Sequence, residues 1–140
     1  MKVLIIYNLD PEWDKNEIRE TRKSNRVVYE SLKNYGIETY LEEVNNPFLE
    51  KILEKYNPEN TIVFNLCESL PGLPYSEQRV VEIIENRGFV YTGNPPEVLE
   101  LSYNKQKVKE ILASIGVTVP YGAVLTPDDA ADWDIFPAIV

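Results

Sequence analysis

An α/β fold on a mainly parallel sheet, layered α/β/α with helices on both faces, is what this chain predicts. Three observations carry that expectation. Residues 2–7 (KVLIIY) and 61–66 (TIVFNL) are short, almost continuous apolar runs, the pattern of strands covered on both faces. Between them the apolar residues change to steps of three and four, the spacing of amphipathic helices. Strand and helix then alternate along the chain, and the economical arrangement of such a pattern is a parallel sheet with right-handed crossovers.

Taken in order, the first strand (2–7) ends at Asn8-Leu9-Asp10-Pro11. A helix follows from Glu17 to Tyr35, where Ile18, Thr21, Asn25, Val28, Leu32 and Tyr35 share a face, and Gly36 is its left-handed stop. Residues 38–44 (ETYLEEV) read as a second strand, placed near an edge by its charges. Asn46-Pro47 opens a helix that carries Phe48, Leu49, Ile52, Leu53 and Tyr56 on one face and stops at Asn57-Pro58. The third strand (61–66) leads into a loop, 67–75, after which Ser76 is positioned to cap a helix running to about Arg87, with Gly88 as terminator. Phe89-Val90-Tyr91 is a fourth, short strand, stopped by Thr92-Gly93-Asn94 and the pair Pro95-Pro96.

After Ser102, Val108, Ile111, Leu112 and Ile115 recur at helical spacing with Lys105, Lys107 and Lys109 among them. Helix starts ordinarily prefer acids, because their free N–H groups and dipole attract negative charge. Three lysines there suit a bound phosphate better than they suit the helix alone. Beyond Gly116 the pattern changes: 117–120 is a connector, 121–125 a strand, Thr126-Pro127 the start of a short helix, and 136–140 another strand. Two domains are therefore expected, residues 1–102 and 103–140. The chain closes on a bare apolar strand, which predicts that more chain follows in the intact protein.

Composition excludes several functions. A formal net charge of −9 repels polyanions, so nucleic acid is not expected as a partner. Histidine is absent, which removes His-ligated metals and His-based triads. Cys67 stands alone with nothing to activate it and reads as a small core residue. No run approaches membrane-spanning length and no signal-peptide pattern follows Met1-Lys2, so a cytoplasmic, disulfide-free protein is expected.

TIVFNLCESLPG, then SEQRVVEIIENRGFVYTGNPPEVLELSYNKQKVKEIL, GVTVP and a terminal FPAIV resemble the amino-terminal part of D-alanine–D-alanine ligase and related ATP-grasp ligases. The likeness spans most of the chain and lies in the order of its parts: a YTG turn, an NK-containing helix, G-[VI]-x-V-P, then a strand beginning Phe-Pro. It implies a Rossmann-like pre-ATP-grasp domain followed by the start of an ATP-grasp subdomain. It also implies an ATP-dependent carboxylate–amine ligase of peptidoglycan biosynthesis, which uses ATP and Mg²⁺ to join amino acids through an acyl-phosphate, and it is compatible with a homodimer. Lys105 falls where these ligases place a lysine on the ATP phosphates, and Lys109 matches a second recurrent lysine. Asn104 replaces the acid that usually precedes the first. Glu17 falls where a glutamate meets the first substrate's amino group, and Thr21 where a serine stands. The glycine-rich turn before that glutamate is replaced here by Asp10-Pro11-Glu12-Trp13-Asp14.

Glu68 and Ser69 follow the third strand, at the carboxyl end of the sheet where α/β proteins place ligands. The ligases that join two D-alanines usually have histidine near position 68, so Glu68 is a candidate site residue that departs from their pattern, and with the acidic loop 10–14 it leaves open which amino acids are joined. The Mg²⁺ carboxylates of the family lie beyond this chain, which is expected to turn over no ATP with Mg²⁺ and D-alanine. The alternative is a stand-alone flavodoxin-like or receiver-like module that binds a small ligand or a protein. Asn65 and Glu68 fit a receiver's acidic pocket poorly, and the acidic loop after the first strand fits a flavodoxin poorly.

Overall fold

The structure, a computed structural model, describes residues 1–128 and 134. Four strands, β1 (Lys2–Asn8), β2 (Glu38–Val44), β3 (Thr61–Leu66) and β4 (Val90–Tyr91), form one parallel sheet in the order β2-β1-β3-β4. The helices are α1 (Lys15–Asn34), α2 (Leu49–Leu53), α3 (Glu77–Asn86), α4 (Pro96–Tyr103) and α5 (Lys105–Ser114). The chain divides into two compact units, Met1–Glu100 and Leu101–Val140.

The apolar runs became the two inner strands because only those positions bury both faces. Leu4 and Ile6 of β1 and Val63 of β3 turn one face towards Leu49 and Leu53 of α2 and Val80, Ile83 and Ile84 of α3. On the opposite face Tyr7 donates to Glu43 Oε2 (3.1 Å), which also accepts from Arg22 of α1, so α1 covers that side. The arrangement is the three-layer α/β/α fold. Charged β2 lies at one edge as its composition predicts, and β4 closes the other with two residues.

Several boundaries differ from the sequence expectation. The first helix starts two residues before Glu17, because Asp14 Oδ1 accepts from the N–H groups of Asn16 and Glu17. It ends before Tyr35, which points outwards at 86% exposure. Gly36 takes φ +78 and donates to Lys33 O, the expected left-handed stop. α2 is shorter than expected: Asn46 Oδ1 holds the Phe48 N–H, so the helix opens at Leu49 and leaves the Phe48 ring exposed. Ser76 does not cap α3 with its side chain. Its hydroxyl instead accepts from Leu70 N–H (2.7 Å) and donates to Leu73 O, tying the preceding loop together.

Phe89 falls outside β4 and joins the core. The Pro95-Pro96 pair does more than stop that strand. Pro96 begins α4, where a missing N–H costs nothing, and Val98 and Leu99 donate back to Pro95 O. Residues 121–125 take no strand structure, while 127 and 128 are helical as Thr126-Pro127 suggests. The expected strand at 136–140 lies outside the described residues. No helix among the described residues is long and apolar enough to cross a membrane.

The Arg22–Glu43–Tyr7 link carries a pH dependence. Arg22 bonds both carboxylate oxygens of Glu43 at 2.8 Å, and this outweighs the opposing effect of burial, holding the Glu43 carboxyl below the usual carboxylate range. Burial, reinforced by the facing carboxylate, pushes the Tyr7 hydroxyl up to about 12. With its pKa depressed on folding, Glu43 stabilises the protein above the unfolded carboxyl value of 4.5 and loses that contribution as pH falls through the folded value. Thermal melts at pH 7 and pH 3 should show this. Arg22→Met is expected to lower the melting temperature by a few degrees at pH 7 and by less at pH 3; an equal loss at both would contradict it.

Candidate functional site

A cleft of about 410 Å³ opens within the unit Met1–Glu100 at the carboxyl ends of β1 and β3. In a parallel sheet this is the edge where strand ends diverge and loops leave room for a ligand. Asn8 ends β1 and Trp13 lies in the turn before α1, while Leu66 and Glu68 stand at the exit of β3. Glu20, Thr21, Ser24 and Asn25 complete the lining from α1. The Asp14 cap positions them, since it sets where α1 begins.

Asn8 organises the cleft floor. It is buried, its Oδ1 accepts the Glu68 N–H at 3.0 Å, and its Nδ2 donates to Ser69 Oγ at 3.4 Å. Both ends of one amide thus fasten the loop after β3 to the end of β1. The loop is held at further points. Leu70 is buried, Leu73 N–H returns to Leu70 O, and Asn65 Oδ1 accepts the Cys67 N–H. Tyr75 adopts φ +58, a left-handed conformation that costs a non-glycine residue about 1 kcal/mol or more.

Of the residues the sequence singles out, Thr21 and Glu68 line the cleft together, and Ser69 is joined to it through Asn8. Glu17 is engaged otherwise. Its Oε2 accepts the Asp14 N–H at 2.7 Å, completing a capping box in which Asp14 and Glu17 satisfy each other's backbone donors. Glu17 is not among the residues lining the cleft. Cys67 is buried in the core, and burial pushes its thiol well up, so it stays protonated and unreactive.

Lys105 and Lys109 belong to the other unit. Lys105 is the first residue of α5 and is exposed, and Asn104 caps that helix by accepting the Lys107 N–H at 2.9 Å. Asn104 in place of an acid therefore keeps a capping role. Lys107 pairs with Glu110 at 3.5 Å. Lys109 is half-buried with its ammonium against Gly122, where a Cβ would collide with Nζ.

A second hollow, about 270 Å³, lies at the amino ends of β1 and β3. Its lysines are already paired, Lys2 with Glu38 at 3.0 Å and Lys55 with Glu42 at 3.1 Å, and Tyr56 donates to the same Glu42 oxygen. That closed network offers no uncompensated charge to a ligand. Among the described residues no group of three or more cysteine, aspartate or glutamate side chains is arranged to hold a metal ion.

Sequence reasoning missed Asn8, Trp13, Glu20, Ser24, Asn25 and Leu66 as parts of the site. Asn25 carried a signal, as an amide on the mainly apolar face of α1 that also holds Thr21. Asn8 carried none beyond its place at a strand end. Comparison with models of protein families, with curated proteins and with solved structures finds no match, so the likeness to the ligases rests on the sequence motifs alone.

Proposed function

We propose that this chain supplies the amino-acid cleft and a phosphate-directed lysine of an ATP-dependent carboxylate–amine ligase of the D-alanine–D-alanine ligase type. The observation that carries the reading is the cleft at the carboxyl edge of the sheet, where Thr21 and Glu68 meet although 47 positions separate them in sequence (68 − 21). In such a reaction ATP phosphorylates a carboxylate, and an amine displaces phosphate from the acyl-phosphate. That chemistry relies on positioning and charge neutralisation more than on acid–base side chains, in keeping with a chain that has no histidine.

On this reading α5 serves the nucleotide. Lys105 opens the helix, free N–H groups and the dipole favour an anion at that end, and the first turn carries no acid. Among the described residues no group of three or more carboxylate or thiol side chains is arranged to hold a metal ion such as Mg²⁺. A cytoplasmic location goes with the reading, since the single thiol is buried and has no disulfide partner.

The test is a titration of the chain with MgATP, followed by amide NMR. Shifts concentrated in residues 104–109 and lost in Lys105→Ala are expected, because removing one charge-assisted phosphate contact forfeits about 1.5–3 kcal/mol. Shifts absent from α5, or unchanged in Lys105→Ala, would remove the ligase reading.

A further inference from the structure

We infer that the cleft at the carboxyl edge of the sheet is a receptor for a primary ammonium group, with Glu68 as counter-ion and Asn25 as second acceptor. This goes further than the ligase reading and rests on it only for the expectation that an amine is a substrate. It also moves the amine from Glu17, to which the family likeness assigns it, to two residues that the likeness does not assign to it.

Four observations lead there. First, no lysine or arginine lines the cleft, so no cationic side chain in it would neutralise a carboxylate or phosphate. Second, its two carboxylates differ. Glu20 is compensated by Arg19 at 3.4 Å and Lys23 at 3.8 Å, whereas the exposed Glu68 carboxylate has no cationic partner among the described residues. Asn8 holds the Glu68 backbone and so fixes the root of that side chain.

Third, Asn25 is 8% exposed in the middle of α1, where an unsatisfied amide is costly. Its Nδ2 donates to the Thr21 carbonyl at 2.8 Å, which settles which end of the amide is the donor. Its Oδ1 accepts no hydrogen bond among the described residues. Yet no fully buried side-chain oxygen or nitrogen among them lacks a partner, so this oxygen keeps some exposure, and Asn25 is one of the residues lining the cleft. Fourth, Glu17 is occupied by the Asp14 N–H and is not part of the cleft lining.

A carboxylate, an open amide oxygen and the Thr21 and Ser24 hydroxyls together offer acceptors. An ammonium group presents three N–H donors and one positive charge, the complement of that set. Trp13 adds an aromatic wall, which also favours a cation. With no cationic side chain lining the cleft, the ligand is recognised by its amine, and its carboxylate is dispensable for binding.

The experiment uses the whole chain, amide NMR near neutral pH, and two probes that differ only in the group concerned: D-alaninamide, with an ammonium, and D-lactamide, with a neutral hydroxyl in its place. D-Alaninamide is expected to shift the Glu68 and Ser69 amides, the Asn25 side-chain amide and the Trp13 indole N–H, and D-lactamide to leave them in place. Glu68→Gln should weaken D-alaninamide binding roughly tenfold or more, the loss expected for one charge-assisted contact. Glu17→Gln should change it less than about twofold, since glutamine preserves the capping box.

Equal binding of D-lactamide, loss in Glu17→Gln but not in Glu68→Gln, or no D-alaninamide shifts at all would each overturn the assignment. The MgATP titration separates the two ideas. Shifts at α5 without amine binding would leave the ligase reading standing and end this one; amine binding dependent on Glu68 without shifts at α5 would do the reverse.

Discussion

Leu4→Ala is expected to lower the free energy of unfolding by about 2–5 kcal/mol, the largest effect of any single change considered. Leu4 sits in the middle of β1 with no solvent exposure, registered against Tyr40 of β2 on one side and Val63 of β3 on the other. Its side chain belongs to the cluster that joins the sheet to α2 and α3, so truncation both forfeits burial and leaves a hole that four elements would have to shift to fill. Against a total stability of about 5–15 kcal/mol for such a domain, that is a large fraction. Urea unfolding followed by far-UV circular dichroism would show a lower midpoint with an unchanged slope. Val90→Ala is the control: at 64% exposure on the edge strand it should cost less than about 0.5 kcal/mol. Similar losses at both positions would mean that β1 is not the buried centre of the sheet.

Asn8→Ala should destabilise the protein by about 1–3 kcal/mol and loosen the candidate site at the same time, because it strands the Glu68 N–H with no acceptor. Two readouts are needed, since any core defect lowers stability. Hydrogen exchange should lose protection at the Glu68 amide in Asn8→Ala while the amides of β1 and β3 keep theirs. Ser69→Ala removes only the partner of a long 3.4 Å contact and should change stability by less than about 0.5 kcal/mol. If Glu68 exchanged no faster in Asn8→Ala than in the wild type, the amide would have no part in holding the cleft floor.

The same two residues show how far the sequence could be read. Leu4 was legible, because KVLIIY announces a strand covered on both faces wherever the chain places it. Asn8 was not: its bonds reach Glu68 and Ser69 across separations of 60 and 61 residues, and no local pattern encodes a partner so distant. Glu17 illustrates the opposite case. An acid three residues after Asp14 is the pattern of a capping box, and the structure uses it for that local purpose.

The helix that begins at Pro96 was hidden by composition, since two successive prolines signal a stop more strongly than a start. Ser76 looked like a cap and became a loop tie, because the Leu70 N–H lay within reach of its hydroxyl once Leu70 was buried.

By itself the sequence determined the class of fold, the two inner strands, the edge position of β2 and the stop at Gly36, because hydrophobic spacing and positive-φ glycines act over a few residues. Only the tertiary structure decided which polar side chains share the cleft and which of its two carboxylates has no cationic partner among the described residues. Those outcomes depend on which strand ends and helix faces come together, and that is a property of the packed sheet that no single segment contains.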